Sequence, residues 1–109
     1  MRIEMAKVVE GVKRYLAKEI YPGMTDWQEV AANVAVKNLV RYVASMYGEV
    51  MVTGLIDAEV IIDDLKEEIS RKGKVEVKPP LLGKMTFLPE DMDKLKAEIY
   101  GGVMNDQVN

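Results

Sequence analysis

Lys74-Val75-Glu76-Val77-Lys78-Pro79-Pro80-Leu81-Leu82-Gly83-Lys84-Met85-Thr86-Phe87 is the stretch that decides the fold class. Val75 and Val77 alternate with Lys74, Glu76 and Lys78, and Met85 and Phe87 alternate with Lys84 and Thr86. Successive side chains of a strand point to opposite faces, so each run has one apolar face. Pro79-Pro80-Leu81-Leu82-Gly83 is the turn cluster between them. An isolated hairpin is marginal in water, so Val75, Val77, Met85 and Phe87 are expected to pack on helices.

The rest of the chain supplies those helices. Over residues 3–21, Met5, Val8, Val9, Val12, Leu16 and Ile20 recur at intervals of three and four, and Pro22-Gly23 ends the pattern. Thr25 and Gln28 form a capping-box signature ahead of a helix expected to reach Tyr47, where Gly48 follows. This second helix is apolar on most sides: only Lys37 and Arg41 carry charge between Val30 and Tyr47. It reads either as the central core helix or as one with a second face in an oligomer contact, with Val36, Val40 and Tyr47 as the candidate partner surface.

Residues 49–56 read as a strand or an irregular connection, and a third strand near Val50–Thr53 is a candidate neighbour for the hairpin. Residues 58–72 read as a third helix with Asp57 as N-cap and Gly73 as its stop, although Val60-Ile61-Ile62 also suits a strand. Pro89 opens a last helix, which Gly101-Gly102 is expected to close. The fold class is therefore α+β: three to four helices, a C-terminal hairpin packed on them, and a short final helix. One domain is expected over residues 1–102, followed by a disordered tail at 103–109.

Composition narrows the chemistry. The 109 residues are 49% apolar and 30% charged, which suits one globular core. The net charge of −3 gives no global attraction to nucleic acid or anionic lipid. No cysteine or histidine is present, so thiol nucleophiles, disulfides, thiolate metal sites and imidazole acid–base chemistry are excluded. No run of about 18 uncharged apolar residues suggests a membrane span, and the opening residues do not form a signal peptide. A cytoplasmic protein without membrane partners is the expectation.

Two charged clusters invite a functional reading. Asp57, Glu59, Asp63, Asp64, Glu67 and Glu68 offer carboxylates for a hard cation, but they lack the alternating ligands and bend glycine of a calcium loop. A solvated helix face accounts for them better. Arg71, Lys72, Lys74, Lys78 and Lys84 form the one basic stretch and suggest a phosphate-gripping hairpin. The acidic helix before it would be repelled by DNA. Trp27 and the tyrosines Tyr15, Tyr21, Tyr42, Tyr47 and Tyr100 read as core residues more readily than as a ligand pocket. Neither catalytic residues, metal ligands nor a cofactor are expected.

Three further segments carry a resemblance. They are Met1-Arg2-Ile3-Glu4-Met5-Ala6-Lys7-Val8-Val9-Glu10-Gly11-Val12-Lys13, Tyr21-Pro22-Gly23-Met24-Thr25-Asp26-Trp27-Gln28-Glu29-Val30, and Leu82-Gly83-Lys84-Met85-Thr86-Phe87-Leu88-Pro89-Glu90-Asp91-Met92-Asp93. Together they resemble small uncharacterised proteins encoded in prophages and mobile elements of low-GC Gram-positive bacteria. The resemblance implies a phage or gut-bacterial setting and no particular chemistry. The function expected is a non-enzymatic interaction or assembly protein whose partner is itself or another mobile-element protein. A nucleic-acid-binding accessory module using residues 71–84 is the alternative.

Overall fold

Met5, Val8, Val9 and Val12 put one apolar stripe on the first helix, α1 (Met5–Tyr15), and Val8 and Val9 are buried. In the computed structural model, which describes residues 1–48 and 54–108 (backbone alone from 102), α1 is the central element. Its helical path continues through Leu16–Ile20 as a wider turn, closed by an i→i+5 bond from the Tyr21 N–H to the Leu16 carbonyl at 2.7 Å. The first residues are not helical. Ile3–Glu4 (β1) pairs antiparallel with Leu55–Ile56 (β2), which buries Ile3 and Ile56 in the core. Two-residue strands are too short to show a period, and this ribbon is a correction to the single helix expected from residue 3. The strand expected near Val50–Thr53 lies outside the described residues.

Helix α2 (Asp26–Met46) begins as its sequence dictates. The Thr25 hydroxyl accepts from the Gln28 N–H at 3.2 Å, and the Thr25 N–H donates to Gln28 Oε1 at 3.1 Å. Helix α3 (Ala58–Lys72) is capped by Asp57, whose carboxylate accepts from the Val60 N–H at 3.4 Å. It ends at Gly73, whose φ of 87° is open to glycine and whose N–H donates to the Ile69 carbonyl. Strands β3 (Val75–Val77) and β4 (Met85–Phe87) pair antiparallel with Val75 opposite Phe87 and Val77 opposite Met85. Their loop turns at Pro79–Leu82 with Pro80 second and Leu81 third, and Leu81 is left-handed at φ 64°. The Tyr21 hydroxyl donates to the Gly83 carbonyl and ties this loop to the residue that closes the wider turn after α1.

Helix α4 spans Pro89–Val108 and does not stop at Gly101-Gly102 as expected. Gly101 does not take a positive φ, and without that left-handed turn a glycine only weakens a helix, by about 1 kcal/mol.

The packing is uneven. Helix α4 lies along α1 and also carries α3, whereas the extensive packing of α2 is on α1 alone. At the α1–α4 seam, a Cβ added at Gly11 would lie 2.6–2.7 Å from Ile99 Cγ1 and Cα, so only glycine allows this approach. Arg14 donates to the Glu98 carbonyl at 2.8 Å and pairs with its carboxylate. The hairpin docks on the same core: Met85 is buried, and Phe87 stacks on Tyr15 with ring centroids 6.4 Å apart. Val77 departs from expectation and stays exposed, because the short strands carry it past the edge of the core. The molecule is α+β, with four helices and two small antiparallel ribbons among the described residues.

Candidate functional site

Among the described residues the extensive packing of α2 is on α1, and an apolar groove of about 520 Å³ opens beside it. One wall is α2, through Ala35, Leu39 and Val43. The facing wall is α3, through Ile61, Leu65 and Ile69. Val12 and Tyr15 of α1 and Leu95 of α4 line its depth, and Val77 and Pro79 stand at the hairpin end. Glu68 and Lys72 bring charge to the lining, and they pair with each other at 3.7 Å. A space of this size lies in the range of ligand and peptide pockets, and its lining is nearly all hydrocarbon.

The candidate partner surface divides. Val36 and Val40 are 2% and 9% exposed and lie on the face of α2 that belongs to the core, so they cannot present an outer surface. They also border the groove. Tyr47 is exposed at the end of α2. Its hydroxyl is pushed above its ordinary pKa by burial first and then by Asp64 and Glu68, so it stands within electrostatic reach of α3. The exposed apolar side chains of α2 are others: Trp27, Val30, Val34, Leu39, Tyr42 and Met46. Trp27, 79% exposed, overturns its reading as core, and so does Tyr42. Helix α2 is therefore not the central helix. Its spacing revealed apolar residues all round, but nothing in a period says which side a neighbour covers.

Tyr15 is the titratable group deepest in this region. Its side chain is fully buried, and the hydroxyl is pushed up to about 12. Burial is the largest cause, followed by the negative charges of Asp91 and Glu19 and a hydrogen bond to Asp91. A phenol held protonated in this way serves the packing and offers no base at neutral pH.

The basic stretch does not converge on one face of positive charge. Glu76 sits between Lys74 and Lys84, 3.3 Å from each ammonium, and the two hydrogen bonds hold its carboxyl below the usual range. Lys72 is paired with Glu68, while Arg71 and Lys78 are exposed. Of the acidic cluster, Asp57, Glu59, Asp63 and Glu68 have cationic partners. Asp63 meets Lys96 at 2.6 Å, and Asp57 and Glu59 face the Met1 amine at 3.5 and 3.4 Å. Among the described residues no three carboxylates stand close enough to share a cation. Among them, too, no helix is long and apolar enough to cross a membrane. No protein-family model, curated protein or solved structure matches the chain.

Proposed function

We propose that this is a non-enzymatic interaction or assembly protein, of phage or mobile-element origin and acting in the cytoplasm, that seats a protein partner along α2 and the groove beside it. The observation that carries the reading is the 520 Å³ groove between α2 and α3, continuous with exposed Leu39 on its wall. A helix that is packed on one side and keeps six exposed large apolar side chains carries more apolar surface than monomers usually leave to water. The partner is a second copy or another protein of the same element.

The reading is tested by substituting the groove wall. Leu39 is 54% exposed, so Leu39→Asp should leave thermal stability within a few degrees of wild type. It should abolish association, measured by light scattering on the pure chain and by affinity capture from the native host. A wild-type chain that is monomeric, captures nothing that Leu39→Asp fails to capture, and excludes an apolar dye from the groove would refute the reading. The hairpin lysines favour nucleic acid less well, because Glu76 sits between two of them and offsets one of their two charges.

A further inference from the structure

We infer that the occupant of the groove is helix α2 of a second copy of this chain, so that two chains close each other's grooves about a two-fold axis. The inference rests on the docking reading above and names its partner.

The first ground is a stripe complementary to the groove. Trp27, Val30, Val34, Lys37 and Arg41 recur at intervals of three, four, three and four, which places them along one face of α2. All five are exposed. This face lies away from the Ala32–Val36–Val40–Ala44 face that is buried. Apolar anchors at i, i+3 and i+7 are the pattern by which a helix enters an apolar groove. One chain thus carries both the insert and the receptacle, which is what a two-fold interface demands of a single surface.

The second ground is charge. Lys37 and Arg41 are the only charges of α2 beyond Val30, and both are positive. They are four residues apart, about 6 Å along the axis, and like charges at that spacing repel. On α3, Glu68 lines the groove, where it pairs with Lys72 at 3.7 Å, and exposed Asp64 lies one turn earlier, with Glu67 beside them. Asp64, Glu67, Lys37 and Arg41 make no ion pair among the described residues. A second copy laid over the groove, with Trp27, Val30 and Val34 inward, sets its two cations against this carboxylate edge. Each pair of like charges then meets its opposite at matching spacing, and the two-fold repeats the contact.

Trp27 is the only tryptophan, so its emission reports the event directly. The experiment uses the purified full chain across a range of concentrations at low salt. Sedimentation should give twice the 12.3 kDa chain mass, and Trp27 emission should shift to the blue as the dimer fills. Val34→Asp should give the single-chain mass with an unchanged far-ultraviolet spectrum. Arg41→Glu and Asp64→Arg should each weaken the dimer by about tenfold or more, and an equimolar mixture of the two should regain wild-type affinity, because both contacts of the mixed dimer are then attractive. The inference is overturned if the wild-type chain keeps its single-chain mass at every concentration, if Trp27 emission does not move, or if the mixture is no tighter than either variant. A single-chain mass combined with a foreign partner lost on Leu39→Asp overturns this inference alone and leaves the docking reading standing.

Discussion

The α1–α4 seam and the α2–α3 groove are lined by the same kinds of residue and have opposite characters. At the seam, Gly11 lets Ile99 approach so closely that no added methyl fits, and Arg14 and Lys18 converge on Glu98 at the border. At the groove, valines, leucines and isoleucines face a space of about 520 Å³. Composition therefore does not decide whether an apolar surface is closed. A small residue at the crossing point does, by setting how near two helices come.

The contrast is broken most directly by adding volume at each place. Gly11→Ala is expected to cost about 2–3 kcal/mol, because Ile99 meets the new methyl with its backbone as well as its side chain. Thermal unfolding followed by circular dichroism should fall by roughly 10–20 °C. Ala35→Leu adds more volume on the groove wall and should change stability by no more than about 0.5 kcal/mol. Equal losses would mean that the two regions are packed alike.

Tyr15 belongs to both regions, and pH sharpens its role. Its pKa in the folded chain is about 12 against an ordinary 10.0, so the charged form is disfavoured by folding. The stability contributed by the neutral phenol is fully present below pH 10 and is lost as pH rises from about 10 to 12. Two pK units correspond to about 2–3 kcal/mol. Denaturant titrations at pH 9 and pH 12 should show that loss, and Tyr15→Phe should reduce it, leaving the part due to Tyr21, Tyr47 and Tyr100, whose hydroxyls burial also pushes up. A loss undiminished in Tyr15→Phe would assign the pH dependence elsewhere.

Helix α2, held on one side, should depend more than its neighbours on its own ends. Thr25→Ala removes the hydroxyl half of the capping box and is expected to cost about 1 kcal/mol. Amide exchange should quicken in the first turns of α2 and stay unchanged in α1. A gain is expected at the hairpin rim, where Leu81→Gly relieves a left-handed leucine and should raise stability by up to about 1 kcal/mol. A loss on that change would show that the leucine side chain, although exposed, makes contacts that outweigh its backbone cost.

Much of the fold was legible because its signals are local. Thr25 and Gln28 announced a capping box, Asp57 and Gly73 bracketed α3, and the alternation about Pro79-Pro80 marked the hairpin. What was illegible depends on residues far apart in the chain. The pairing of Ile3 with Ile56 spans two residues on each side and leaves no period to read. Gly11 shows in the sequence as a small residue on a helix, but the crossing of Ile99 that makes it indispensable does not. The groove is the plainest case: the spacing offers Val36 and Val40 as a partner surface and reads Trp27 as core, whereas Val36 and Val40 are buried and Trp27 is exposed. Periodicity orders side chains around an axis without saying which side finds a neighbour.

The seam also governs how the protein is made. Arg14 and Glu98 are 84 residues apart, so the main helix contact joins segments synthesised far apart in time. A nascent chain holds α1 and the apolar α2 outside the ribosome well before α4 arrives to cover Gly11. Local structure can form early, but closure must wait for this distant encounter, which slows folding and prolongs exposure of sticky surface. Chains truncated before α4 should therefore collect on chaperones or aggregate.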